Sequence, residues 1–170
     1  KNPNITFIQG TAKFIDEYSI EVNGNKYSAS HTIIATGSIT KIPPIPGAHL
    51  EGVITSTELL NVQSIPQKLV IIGGGVIGLE FASIFNSFGT EVTVIEYCKE
   101  ILPSFDQDIA KRLRMALKKR GITFKTNSKV NAIHKEEGQL IVEYIEKDKT
   151  CHKESDLVLL SVGRVANIHS

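Results

Sequence analysis

The sequence predicts an α/β protein: a three-layer domain with a parallel sheet and a β-meander. Three observations predict it. Leu69 to Ile72 is an unbroken apolar run with β-branched residues, the composition of a strand buried on both faces of a parallel sheet. Gly73, Gly75 and Gly78 follow at once in G-x-G-x-x-G spacing and open a helical apolar pattern through Val76, Ile77, Phe81, Ala82, Ile84, Phe85 and Phe88. A second strand, Glu91 to Glu96, then carries Val92, Val94 and Ile95 and ends on an acid.

Each glycine has a physical reason. Gly73 lets the chain turn sharply out of the strand, Gly75 has no Cβ to keep a pyrophosphate from the main chain, and Gly78 removes bulk where the helix crosses the sheet. The helix beginning near Val76 offers unpaired N–H groups and the positive end of its dipole to an anion. Gly89 is placed to end that helix. Strand, turn, helix and strand together predict a Rossmann-like NAD(P)-binding domain. Glu96 then selects the nucleotide. A carboxylate there accepts hydrogen bonds from both ribose hydroxyls of NAD and repels the 2′-phosphate of NADP, so NAD is expected.

The bulk properties exclude other classes. The 170 residues carry 19 Lys+Arg against 18 Asp+Glu, a formal charge of +1, which gives no electrostatic reason to expect nucleic acid. No apolar stretch approaches the ~18 residues of a membrane span and no signal peptide opens the chain, so a soluble, cytoplasmic protein is expected. Cys98 and Cys151 stand in no C-x-x-C or metal-ligand spacing, and no metal site is expected. The only methionine is Met115, so the sequence reads as a piece of something longer.

Taken in order, residues 5 to 30 alternate in short apolar segments (Ile5 to Ile8, Lys13 to Ile15, Ser19 to Val22) with a hairpin turn at Asn23-Gly24-Asn25, which predicts a small antiparallel meander. His31 to Ser38 reads as an apolar strand ending in small residues that can approach a ligand. Residues 39 to 67 are a connector, stiffened by Pro43, Pro44 and Pro46, with a short helix over Ser56 to Val62. After Glu96, Ser104 and Gln107 have capping-box spacing before a helix that runs to about Arg120. That helix places Ile109, Leu113, Met115, Ala116 and Leu117 on one side and six cations toward the other, and Gly121 closes it. A second meander spans 129 to 150, followed by an apolar strand to Val162-Gly163-Arg164. The chain thus repeats itself, with Ile33 to Gly37 matching Leu159 to Gly163.

These residues resemble the two-dinucleotide-fold flavoprotein disulfide reductases. The resemblance rests on Ala35-Thr36-Gly37-Ser38, Gly73 to Glu80, Glu96, Leu102-Pro103 with Asp106, and Val162-Gly163-Arg164 with Asn167. Gly-Gly-Gly-Val-Ile-Gly-Leu-Glu with Glu96 is closest to the dihydrolipoamide dehydrogenases within that family. The resemblance implies that residues 1–44 end the first part of a split FAD module, that residues 45–164 form the NAD domain, and that 165–170 begin the return. It implies that Gly73, Gly74, Gly75, Val76, Ile77 and Gly78 hold the NAD pyrophosphate, that Leu79 belongs to the same cofactor-binding run, and that Glu80 and Gly163 lie toward the nicotinamide. Glu96 takes the adenine ribose, Val130 flanks the adenine, and Val76 lies over the flavin when nicotinamide is absent. Ala12, Thr36, Gly37 and Ser38 fall near the FAD. The parent would be a homodimeric, NAD- and FAD-dependent oxidoreductase that serves the lipoyl domains of 2-oxoacid dehydrogenase or glycine cleavage complexes.

Two departures from the family pattern stand out. Val165-Ala166 replaces the basic residue and proline that often follow the Gly-Arg pair. The flavin glycine fingerprint, the redox Cys-x4-Cys and the C-terminal His-Glu pair do not occur in the chain, so no catalytic residue is assigned. His31, His49, His134, His152 and His169 match no family context. Other substrates (mercuric ion, a coenzyme A disulfide, oxygen) and a non-catalytic nucleotide-binding module stay open as alternatives, whereas the repeated meander and strand ending in Gly37 and Gly163 argue against a methyltransferase.

Overall fold

The computed structural model describes residues 3–168, so His169 lies outside the described residues. The chain divides into two units, residues 1–38 with 166–170 and residues 39–165. The first holds β1 (Ala12–Asp16), β2 (Ser19–Val22) and β3 (Asn25–Ser28), an antiparallel meander in sequence order. Asn23 and Gly24 both take positive φ, 52° and 78°, as a tight hairpin turn matched to strand twist requires. The predicted meander is present, although residues 5–8 add no strand to it.

The strand expected over His31 to Ser38 does not form. Residues 31–37 are irregular, and only β4 (Ser38–Thr40) is extended and paired. A strand interior to a sheet needs a ladder on both edges and cover on both faces, yet Ile33 is 91% exposed. Two side-chain bonds and one backbone bond to Asn167 tie the stretch instead: Thr36 Oγ1 donates to the Asn167 carbonyl at 2.5 Å, Asn167 N donates to Gly37 O at 3.0 Å, and Asn167 Nδ2 donates to Thr36 O at 3.3 Å.

In the second unit the chain runs through β5 (Val53–Ile54), α1 (Ser56–Leu59), β6 (Lys68–Ile72), α2 (Val76–Ser87), β7 (Glu91–Ile95), α3 (Gln107–Lys119) and β8 (Thr123–Lys125). A meander follows, β9 (Ser128–Glu136), β10 (Gln139–Glu146) and β11 (Lys149–Ser155), then β12 (Leu157–Leu160) and β13 (Arg164–Ala166). The central sheet is parallel in the order β5-β12-β6-β7-β8, and β13 pairs with β4.

Alternation along β6 explains its unbroken apolar run. Leu69 and Ile71 face a core shared with Leu79, Phe85 and Leu117 of the helices. Val70 and Ile72 face a second core with Leu140, Val142 and Tyr144 of the meander. The three layers are therefore helices, parallel sheet and antiparallel meander.

Several local expectations need correction. The helix expected within the connector over Ser56 to Val62 stops at Leu59; Thr55 and Glu58 form the capping box at its start. Ser104 and Gln107 form none, because Asp106 caps α3, its carboxylate accepting from Asp108 N and Ile109 N at 3.0 and 3.1 Å. The core stripe of α3 is Ala110, Leu113 and Leu117, while Ile109 and Met115 are 62% and 57% exposed. At 3.6 residues per turn Met115 falls on the side of the helix away from Leu113 and Leu117, while Ile109, one turn before Leu113, lies at the outer margin of the stripe, about 100° from Ala110. Strand β11 is too polar to read from apolar alternation, and it forms as an edge paired to β10. Among the described residues, no helix is long and apolar enough to cross a membrane and no group of three His, Cys, Asp or Glu side chains could hold a metal.

Candidate functional site

A cavity of about 600 Å³ opens at the carboxyl ends of β6, β7 and β12. This is where open parallel sheets receive ligands. Its floor is the glycine turn. Gly73 has φ +110°, and a Cβ on it would stand 2.3 Å from the Ser161 carbonyl oxygen. A Cβ on Gly78 would stand 2.3 Å from Gly73 O, so the missing side chain is what lets α2 lie against the turn. Gly75, the N-cap of α2, has nothing within 4 Å of a Cβ position. Its bareness is not demanded by the chain around it, and it faces the cavity.

Across the turn stands Glu96, 8% exposed and lining the cavity. Its Oε2 accepts from Gly74 N at 2.5 Å and its Oε1 from Cys98 N at 2.7 Å. A buried carboxylate without a cation needs such donors. Each oxygen keeps a second lone pair for a hydroxyl donor. Burial, reinforced by Glu96, pushes the Cys98 thiol up. That makes it a poorer nucleophile than an ordinary cysteine.

The other side of Gly74 is held as well. Its carbonyl accepts from Leu102 N at 2.9 Å. Leu102 is 7% exposed and has φ +49°, an uncommon backbone for a non-glycine residue. Glu100, two residues before it, is gripped by Arg114 of α3 through Nε at 2.7 Å and Nη2 at 3.0 Å, and it also accepts from Ile101 N at 3.0 Å. Arg114 holds the Glu100 carboxyl below its usual range, and the guanidinium is raised in turn.

A pH prediction follows from that pair. A folded-state pKa below the unfolded value means the stabilisation is complete above the ordinary value of 4.5 and is lost as pH falls through the lower folded one. Urea melts between pH 6 and pH 3 should show acid lability that shrinks in Glu100→Gln. An identical pH slope in both proteins would remove the assignment.

Of the residues singled out in the sequence, the cavity gathers Gly73, Gly75, Val76, Ile77, Glu96, Val130 and Gly163. Gly74 stands behind them, bonded to Glu96. Leu79 packs into the helix-side core and Glu80 is exposed outside the cavity lining. Ala12 is exposed on β1, and Thr36, Gly37 and Ser38 belong with it to the other unit.

The family described as pyridine nucleotide-disulphide oxidoreductase matches residues 1–170. The chain belongs to the pyridine nucleotide-disulphide oxidoreductases. Among curated relatives it is 46% identical to the dihydrolipoyl dehydrogenase of Acholeplasma laidlawii over 154 residues, 87% of this chain and 44% of that protein. It is 34% identical to a mercuric reductase of Bacillus cereus, over 92% of this chain and 25% of that protein. The solved Cu(II) complex of the HOCl-induced flavoprotein disulfide reductase RclA from Escherichia coli superposes with a TM-score of 0.83 at 37% identity, covering 99% of this chain and 38% of that one. The chain thus spans less than half the length of these relatives.

In this pyridine nucleotide-disulphide oxidoreductase the cavity also uses residues that carried no assigned role in the sequence. Tyr97, 72% exposed, and Lys129 line it beside Glu96 and Val130. Leu102 to Phe105 form a wall. The Leu-Pro pair with Asp106 was a usable signal for that wall, but no residue pattern announces a left-handed leucine.

Proposed function

We propose that this chain is the NAD-binding portion of a flavoprotein disulfide reductase, and that the whole protein oxidises dihydrolipoamide to lipoamide with NAD through FAD and a redox disulfide. The observation that carries the nucleotide site is the pairing of a bare Gly75 at the mouth of β6 with a buried carboxylate across the crevice. The residues fit the group. The first turn of α2 presents amides with no intrahelical acceptor to a diphosphate, and Glu96, held by two amides on the cavity wall, keeps acceptor lone pairs for ribose hydroxyls. Bound here, the nicotinamide supplies hydride chemistry, with a flavin as its partner.

The chain's own work is binding and orientation. Gly73 to Gly78 grip the diphosphate, Glu96 measures the ribose and Val130 flanks the adenine. Gly163 and Glu80 lie toward the nicotinamide end, and Val76, exposed at the head of α2, covers the flavin when that end is empty. Residues 1–44 and 165–170 belong to the FAD module, with Ala12, Thr36, Gly37 and Ser38 near that cofactor, and 45–164 form the NAD domain. Lipoyl domains are the expected partners of a homodimeric, cytoplasmic parent. Dihydrolipoamide is preferred as substrate because the dihydrolipoyl dehydrogenase of Acholeplasma laidlawii is the more similar relative, at 46% against 34% for the mercuric reductase.

Calorimetric titration of the chain with NADH, NADPH and S-adenosylmethionine tests the site. Weak binding of NADH alone is expected, with no NADH oxidation when lipoamide is added. Tighter NADPH binding would overturn the reading of Glu96. In the whole protein, assays with dihydrolipoamide and with mercuric ion decide the substrate.

A further inference from the structure

The glycine turn is held by more than its own glycines. Gly74 is clamped at both ends of the residue: its N–H by Glu96 and its C=O by the Leu102 amide at 2.9 Å. The Leu102 clamp depends on a backbone that leucine rarely adopts, φ +49°, immediately before Pro103, where the α region is already disfavoured. Such a conformation persists only where the surroundings over-determine it. On one side Phe105 N donates to Leu102 O at 2.9 Å. On the other, Ile101 is fully buried and its amide bonds Glu100, which Arg114 grips with two parallel bonds.

Arg114 does not line the cavity; its planar fork nevertheless fixes the segment that fixes Gly74. A two-bond guanidinium grip sets orientation as well as distance, which a lysine cannot do. We propose that Arg114, acting through Glu100 and the left-handed Leu102, is a positioning residue for dinucleotide binding, holding the Gly74 peptide in the register that the diphosphate meets. The inference rests on the proposed NAD site, and it adds a residue from the middle of α3 to that site's machinery.

The test is NAD+ affinity by calorimetry, with thermal melting and amide exchange at Gly74 and Leu102, in Arg114→Met and Arg114→Lys of the full protein. Arg114→Met is expected to weaken NAD+ about ten-fold, within the range for residues that couple to a site without touching its ligand. Arg114→Lys is expected to fall between it and the parent. Both variants should exchange faster at the Leu102 and Gly74 amides. Unchanged NAD+ affinity in Arg114→Met, whatever its melting temperature, overturns the proposal. So does weakened affinity with unchanged exchange at those amides. If Arg114→Met does not fold, Glu100→Gln carries the same readouts with the same expected direction. A parent protein that binds no NAD+ would sink the proposed function. The exchange data would then still decide whether Arg114 holds Leu102 and Gly74.

Discussion

Gly75→Ala is expected to leave the fold standing and to weaken NADH binding about 10- to 100-fold. The two halves of this result have separate causes. A Cβ at Gly75 meets nothing within 4 Å, and the residue has φ −76° and ψ 178°, open to alanine. Alanine is a poorer N-cap than glycine, but it also reduces the freedom of the unfolded chain, so the net stability change stays within about 1 kcal/mol. The methyl group would occupy the space through which an anion reaches the first-turn amides. Losing one charge-assisted bond of about 1.5–3 kcal/mol corresponds to roughly 10- to 100-fold in affinity. Thermal melting and calorimetric titration of the same preparation read both. Full retention of affinity would mean that no anion approaches the main chain at Gly75, and the nucleotide site would have to be placed elsewhere.

That contrast also shows what a sequence makes legible. The βαβ unit could be read because period and composition both follow from burial: β6 is apolar at every position since alternate side chains enter two different cores. Glu96 could be read because an acid closing an apolar strand is visible in one dimension. The wall at Leu102 could not, since its conformation comes from a hydrogen bond that its N–H donates to Gly74 O, 28 positions away in the chain, and from the ion pair of Glu100 with Arg114 of α3. The strand expected over His31 to Ser38 fails over 31–37 for the converse reason. Its composition suits a buried strand, but a strand is a property of its neighbours, and Ile33 has no cover among the described residues. The buried face of α3 is fixed by angle about the helix axis, which sets Ala110 beside Leu113 and Leu117 and leaves Met115 outside although it is just as apolar.

Gly73→Ala is expected to act on the fold itself, with a loss of about 3–5 kcal/mol. Two penalties coincide there. The residue has φ +110°, a region L side chains rarely enter, and the new Cβ would lie 2.3 Å from the Ser161 carbonyl oxygen. That oxygen cannot step aside as a flexible side chain would, because Ser161 N donates to Ile72 O at 2.8 Å in the same crossing and Gly73 N is itself bonded to Ile95 O. For a chain of this size the loss should lower the melting temperature by about 10 °C or more. Gly78→Ala separates the two causes: its Cβ would lie equally close to Gly73 O, but it sits in a helix with ordinary φ, so it carries the clash without the backbone strain. A smaller drop for Gly78→Ala than for Gly73→Ala is therefore expected. Melting curves for both that overlay the parent would show that β6 and α2 do not approach as closely as the turn requires, and with that the crevice for a diphosphate would be gone.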